Sequence, residues 1–394
     1  MKKKLLLLLL LFLKIALSAQ TQENYSFDAQ FIYGNILKHT KHLENAVKGP
    51  VLGGEFDVEW QTMGEKPWHE YFRFPAIGLG FVGLDLGNPD MLGQLLAVYP
   101  YLNFRLFDDG FLKINLKGGA GVSFLNKRFD NTATDPNNLN TGNAAIGSIV
   151  NVYFAGGGNV EFPFSESVSA VLAFGWNHAS NGSFYQPNSG INMINASVGL
   201  KYNPVYKKDL HPVYRNVENM PQKFTVELIA SGGARELYYK DNKMYPTGSL
   251  VLAVYRQLGN KMRLGVGIDG FYDGVYDGTS QYERTFLTTN EFKNKLRAGI
   301  SLQPELVFGR FTAGIHWGVY VYNPLKNLEP YEGAKKGKLN KPLIYSYDIE
   351  QEDGWLYTRA ALKYALTKHL IASVGLKTHQ QKAEFVEWGL GVRF

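Results

Sequence analysis

The chain has 394 residues, 45% of them hydrophobic and 14% aromatic, with 42 glycines and no cysteine. The lack of cysteine excludes disulfides, thiolate metal sites and a lipid-modified amino-terminal cysteine. The formal charge of +6 includes Lys2, Lys3, Lys4 and Lys14 of a removable leader, so the mature chain carries about +2, too little to point to nucleic acid as a partner.

Met1-Lys2-Lys3-Lys4, a leucine-rich run to Leu13, and then Ala16-Leu17-Ser18-Ala19-Gln20 supply the charged, apolar and small-residue regions of a secretory signal peptide, residues 1–19. The apolar run is shorter than the roughly 20 residues a spanning helix needs, so it reads as an export signal rather than an anchor. No later apolar run is long enough to cross a membrane as a helix. Short periodic segments rich in aromatics and glycine instead predict a closed β structure.

In the first half eight strands are predicted, at about 25–36, 49–62, 69–84, 94–107, 111–124, 145–162, 167–180 and 191–203. Alternation is clearest at 111–124, where Leu112, Ile114, Leu116, Ala120, Val122 and Phe124 oppose Lys113, Asn115, Lys117 and Ser123. The connections alternate as well. Those after the second, fourth and sixth strands are short, at Gly64-Glu65-Lys66-Pro67, Asp108-Asp109-Gly110 and Pro163 to Glu166, whereas those after the first, third and fifth are longer and polar. Short turns at one end and long loops at the other are the pattern of an outer-membrane barrel; a soluble sandwich or propeller gives no reason for it.

The stretch 204–222, rich in proline and charge, reads as a linker between one eight-stranded half over 20–203 and a second over 223–394. The second half repeats the rhythm at about 223–233, 247–257, 262–273, 292–306, 311–324, 354–366, 369–379 and 384–394, and looks like a degenerate copy of the first. The fold class is therefore all-β, a transmembrane antiparallel β-barrel of about 16 strands. One wide barrel leaves no extra edges and is favoured on that ground; a long linker also permits two small barrels.

Val168 to Tyr202 reads as a hairpin. Val168, Ala170, Leu172, Phe174 and Trp176 form its large apolar face, continued by Ile194, Ala196, Val198, Leu200 and Tyr202 on the second strand. At the loop end His178, Ser180 and Asn192 keep the apolar parity, so three polar groups share the greasy face. A loop centred near Gln186 would put Ser180 opposite Asn192, with His178 one diagonal step away. A serine nucleophile needs a base to take its proton, and the base needs a third group to orient it. With the amino terminus in the periplasm, the loop 181–190 is extracellular and the trio faces lipid at the level of the outer leaflet. Polar groups on that face carry a stability cost, and the substrate they imply is an outer-leaflet lipid. Two other candidates read as ordinary structure. Gly78-Leu79-Gly80-Phe81-Val82-Gly83 has the letters of a dinucleotide fingerprint with no helix after it, and His39, His42 and Glu44 in the first outer loop read as solvated residues rather than metal ligands.

Phe174-Gly175-Trp176-Asn177-His178-Ala179-Ser180-Asn181-Gly182, followed by Gln186-Pro187-Asn188-Ser189-Gly190-Ile191-Asn192, resembles the His-x-Ser-Asn signature and downstream Pro-Asn-x-Gly of the lipid A 3-O-deacylases, the PagL or acyloxyacyl hydrolase family. The specific match covers about 20 residues, and the eight-stranded first half is compatible with that family's fold. The resemblance implies an outer-membrane esterase that removes an ester-linked 3-hydroxyacyl chain from lipid A or lipopolysaccharide. Ser180 would be the nucleophile, His178 the general base, and Asn181 with the backbone N–H near Gly182 the oxyanion support. Asn192 stands where the family has an acidic third member; it can still accept a hydrogen bond from His178, but it supplies no full negative charge. On this reading Phe174, Trp176 and Ile194 hold acyl chains, Phe184 and Tyr185 cover the site from the loop, and no metal or cofactor is required. The rival is a non-catalytic outer-membrane barrel, a porin or a surface-binding protein.

Overall fold

The structure, a computed structural model, describes residues 24–39, 41–130, 132, 140–204, 212–215, 217–237, 239, 243–276, 292–323, 356–379 and 382–394. The expected signal peptide 1–19, most of the loops 274–291 and 325–353, and linker residues 205–211 and 216 lie outside the described residues.

The chain divides into two compact units, and its strands form two closed antiparallel barrels. The first barrel runs in chain order through β1 (Tyr25–Ile36), β2 (Val51–Gln61), β3 (Ala76–Asp85), β4 (Gln94–Asp108), β5 (Lys113–Leu125), β6 (Val150–Pro163), β7 (Val168–Ser180) and β8 (Ile191–Tyr202). The second comprises β9 (Phe224–Glu236), β10 (Met244–Leu258), β11 (Met262–Asp273), β12 (Leu296–Phe308), β13 (Phe311–Tyr322), β14 (Leu356–Ala365), β15 (Leu370–His379) and β16 (Lys382–Arg393). One wide barrel, favoured above, is therefore not what forms. β8 returns to β1 in a register running from Phe27 opposite Tyr202 to Ile36 opposite Met193, and β16 returns to β9 from Glu387 opposite Gly233 to Arg393 opposite Glu227. Each half satisfies its own edges, so closure needs no strand from the other half.

Alternation along each strand separates an oily outer wall from a polar interior. On β7 Leu172, Phe174 and Trp176 are exposed while Ser169, Val171 and Asn177 are buried; on the second barrel Val266, Ile268, Trp388 and Leu390 are exposed. Closed barrels with such walls are the membrane-spanning architecture of the outer membrane, and the protein is an outer-membrane barrel. Among the described residues no helix is long and apolar enough to cross a membrane.

Inside an eight-stranded barrel there is room for little more than side chains, and here they are charged. Lys117 Nζ donates to Glu55 Oε1 at 2.8 Å and Asp57 Oδ2 at 2.6 Å. Lys201 donates to Glu161 Oε1 at 3.0 Å and also to Glu59, which further accepts from Asn103 at 2.9 Å and Tyr101 at 3.1 Å. In the second barrel Glu227 accepts from Arg263 at 2.6 Å and Lys363 at 3.0 Å, and Glu305 accepts from Arg263 at 2.7 Å and from His316 at 2.9 Å. Tyrosines fill the remaining space, and Gly78 and Gly80 make room for two of them. A Cβ on Gly78 would fall 2.1 Å from the Tyr101 ring, and one on Gly80 2.6 Å from the Tyr99 ring. The glycine-rich run on β3 is thus a wall against which lumen tyrosines lie.

The strand limits match the alternation to within a few residues, apart from β6, which begins at Val150 rather than near 145, and one larger exception. The third strand begins at Ala76 rather than near 69, because the preceding residues form α2 (Pro67–Tyr71), after a short α1 (Lys41–Glu44) in the first long loop. Pro67 is preorganised for a first helical turn, Trp68 and His69 are buried, and the chain turns back through Arg73 and Phe74, both in left-handed backbone at φ 60° and 55°. Period two over Glu70 to Phe74 resembles a strand as letters; the proline and the burial of adjacent Trp68 and His69 override it.

Removing Lys201 strands two buried carboxylates. Lys201→Met is expected to lower the stability of the first barrel by about 3–5 kcal/mol, and adding Glu59→Gln and Glu161→Gln to recover most of it. Urea unfolding in detergent micelles, followed by tryptophan fluorescence, measures both; an unaffected single variant would show that Lys201 is not the counter-charge.

Candidate active site

β7 and β8 pair so that Trp176 faces Ile194, Asn177 faces Met193, His178 faces Asn192 and Ala179 faces Ile191. The expected pairing of Ser180 with Asn192 is thus corrected by two residues. The connecting loop is not symmetric about Gln186. It turns sharply straight after the strand, where Gly182 and Ser183 are both left-handed at φ 62° and 66°, and its far limb is held by Ser189 N–H to Ala144 O at 3.3 Å and Gly190 N–H to Ala145 O at 2.9 Å. A shift of two leaves the side-chain phase intact.

That phase puts His178 and Asn192 on the outer wall. His178 Nδ1 lies 2.7 Å from Asn192 Oδ1. A carbonyl oxygen only accepts, so the proton is on Nδ1 and Nε2 carries the ring's lone pair. The imidazole is held flat against its neighbours. It stacks on Trp176 with centroids 5.7 Å apart and planes 13° apart, and lies 6.2 Å from Phe154 at 31°. Such ring contacts contribute about 0.5–1.5 kcal/mol each and limit rotation. Ser180, two residues along the same strand and on the same side by alternation, is buried.

Asn181 has a different setting from the one expected of an oxyanion donor. Its Nδ2 donates to Ser148 Oγ at 2.9 Å and Tyr185 O at 3.0 Å, its Oδ1 accepts from Tyr185 N–H at 3.3 Å, and its own N–H donates to Asn188 Oδ1 at 3.1 Å. Both amide protons are engaged in shaping the loop. Gly182 follows at the sharp turn, where its lack of a Cβ makes the left-handed backbone free of steric cost.

Phe174, Trp176 and Ile194 are exposed on the outer wall, at 64%, 42% and 37%. They form with Phe154 an apolar apron beside the imidazole. Phe184 and Tyr185 in the loop are also exposed and meet edge to face at 5.1 Å. Two residues near the site escaped the sequence reading. Phe154 was legible in principle, since it shares the even parity of the outer wall on β6. His39, read as solvated, has its Nδ1 3.4 Å from Asn192 Nδ2; nothing local announces this, because β1 meets β8 only through closure of the barrel. Among the described residues no cluster of three or more histidines and carboxylates is arranged to hold a metal ion.

Residues 54–201 match the family model described as lipid A 3-O-deacylase (PagL), and residues 224–332 and 343–394 match that of the acyloxyacyl hydrolase C-terminal domain. Among solved structures, the crystal structure of the outer membrane enzyme PagL is 16% identical with a TM-score of 0.27, over 44% of this chain and 98% of that one. A mutant of the monoaromatic hydrocarbon channel TodX is 9% identical with a TM-score of 0.18, over 94% of this chain and 88% of that one. BamA from Haemophilus ducreyi lacking POTRA domains 1-3 is 14% identical with a TM-score of 0.20, over 95% and 71%. No curated protein matches the chain. The two family models together take in most of the described sequence, one per barrel, and the chain belongs to the PagL and acyloxyacyl hydrolase family of hydrolases.

Proposed function

We propose that the protein is an outer-membrane esterase that removes an ester-linked 3-hydroxyacyl chain from lipid A or lipopolysaccharide, with Ser180 as nucleophile, His178 as general base and Asn192 as the orienting group. The observation that carries this reading is the 2.7 Å bond from His178 Nδ1–H to Asn192 Oδ1 on the lipid-facing wall. It fixes the tautomer whose Nε2 can take a proton.

His178 Nε2 takes the Ser180 proton as Oγ attacks the ester carbonyl. The tetrahedral oxyanion is met by backbone N–H groups near Gly182, on the loop that Asn181 braces; one well-placed donor contributes about 3–4 kcal/mol. The intermediate collapses, the sugar oxygen leaves with the proton from His178, and the acyl group stays on Ser180. Water, deprotonated by His178, then attacks the acyl-serine and releases the 3-hydroxy fatty acid. Every step uses acid, base and nucleophile alone. Phe154, Phe174, Trp176 and Ile194 offer the acyl chains a surface continuous with the hydrocarbon, and a lipid of the outer leaflet reaches it by sliding along the barrel.

The filled lumens favour this reading over a porin. Charged networks and tyrosines occupy both interiors, so a solute would have to displace buried ion pairs to pass. Planar-bilayer recordings of the reconstituted protein are expected to show no stepwise conductance, and steady channels would support the porin reading instead.

Purified protein in detergent, given lipid A, is expected to release 3-hydroxy fatty acid detectable by mass spectrometry. His178→Ala should slow the release by roughly 10²–10⁴-fold, and Ser180→Ala should abolish the acyl-enzyme. Equal release from wild type and both variants, or none from any of them, would overturn the proposal. Asn192→Asp restores a carboxylate beside the imidazolium and should raise the rate near neutral pH by about tenfold or more; an unchanged or lower rate in a folded variant would remove Asn192 from the orienting role.

A further inference from the structure

The short turns of an outer-membrane barrel face the periplasm. In the second barrel these are the turns 259–261, 309–310 and 366–369, against stretches of 274–295 and 323–355 at the other end. The rim they form, residues 223–224, 256–262, 308–311, 364–370 and 392–394, carries Lys223, Arg256, Lys261, Arg310, Lys368 and Arg393 and no aspartate or glutamate. Every junction between strands at this end thus contributes a cation, and the ring runs right round the barrel. Arg393 is spent on the lumen, where it donates to Glu227 at 2.8 and 2.9 Å. Lys223, Arg256, Lys261, Arg310 and Lys368 are exposed. Among the described residues Lys223, Arg256, Arg310 and Lys368 form no ion pair. The same end of the first barrel is different. Its turns at 62–75, 107–113 and 163–167 hold Glu65, Glu70, Asp108, Asp109 and Glu166 beside Lys66, Arg73 and Lys113, and Asp108 is paired with Arg105. The basic rim is a property of the second barrel alone.

Cations crowded round one mouth repel each other, and they are favourable opposite a layer of negative charge. Their depth says which layer. Phe224, Phe311, Leu370 and Phe394 are exposed at the lower edge of the apolar wall, and Lys223, Arg310 and Arg393 adjoin them directly in sequence. Arg256 keeps the outward parity of Leu252 and Val254, and its guanidinium lies 5.8 Å from the centre of the Phe224 ring. Side chains so placed lay their stems along apolar surface and put their charge at the level of lipid headgroups. We propose that this rim docks the second barrel onto anionic phospholipid of the periplasmic leaflet, with the headgroup phosphodiester as the group recognised. Arginine meets a phosphate with paired N–H donors and lysine meets it as a point charge. A zwitterionic headgroup brings its own ammonium into the ring of cations, so the rim selects lipids such as phosphatidylglycerol, whose headgroup adds no positive charge.

The full chain in detergent is titrated with phosphatidylglycerol and, separately, with phosphatidylethanolamine, and bound lipid is counted by native mass spectrometry. Wild type is expected to prefer phosphatidylglycerol by a factor on the order of a hundred at low salt, with each basic residue contributing about fivefold, and the preference should shrink as salt is added. The combined variant Lys223→Gln/Arg256→Gln/Arg310→Gln/Lys368→Gln should bring the two lipids to within about fivefold of each other. Each single Gln variant should lose about fivefold, which keeps the test open if the combined variant does not fold. The charge-keeping set Lys223→Arg/Arg256→Lys/Arg310→Lys/Lys368→Arg should retain the preference, as should Lys66→Gln/Arg73→Gln on the first barrel. Glycerol 3-phosphate at the same concentration should leave the lipid bound. Equal affinity of wild type for the two lipids, a preference that survives loss of all four charges, an equal loss from the first-barrel variant, or full displacement by glycerol 3-phosphate would each overturn the proposal.

Discussion

A charge without a partner inside an eight-stranded barrel costs several kcal/mol, and this constraint decides where the polar residues of both barrels stand. Lys117 and Lys201 each bridge two carboxylates in the first lumen, and Arg263 and Lys363 each reach Glu227 in the second. With the interiors closed by such networks, the opposite face of every strand is left to apolar residues and to lipid. A polar group that keeps the outward phase has no network to join. It must be satisfied by another of its kind on the next strand, and the bond between His178 and Asn192 is such a pairing. The lumen chemistry therefore makes the outward-facing imidazole conspicuous.

Strand limits were legible because period two is a strong local signal. β1 and β11 coincide with the stretches read from alternation alone, 25–36 and 262–273. The outward phase of His178 and Asn192 followed from the same parity, as did the exposure of Phe174, Trp176 and Ile194. Where local signals conflict, the reading fails. Residues 69–75 have the letters of a strand, yet Pro67 starts a helical turn there and Trp68 and His69 bury against the barrel end.

Closure and register were beyond reach for a different reason. One wide barrel and two small ones demand the same alternation, so nothing within a strand distinguishes them; the pairing of β8 with β1 does. The two-residue error in the hairpin has the same origin, since parity survives a shift of two and only the turn at Gly182 and Ser183 selects between registers. Asn181 and His39 depend on contacts with Ser148 and Asn192, 33 and 153 residues away, which no short pattern encodes.

On the proposed reading, an asparagine in place of a carboxylate changes two things at once. A carboxylate on the outer wall would bring a formal charge to the hydrocarbon boundary, a cost that is modest near the interface and rises towards the midplane. The amide avoids that charge. It gives up in exchange the stabilisation of the imidazolium that forms as Ser180 loses its proton, and it acquires a second orientation in which His178 holds its proton on the wrong nitrogen. Geometry at this site can therefore be complete while its electrostatics are not, and the barrier that remains is the one set by forming a cation next to a neutral amide at the edge of lipid.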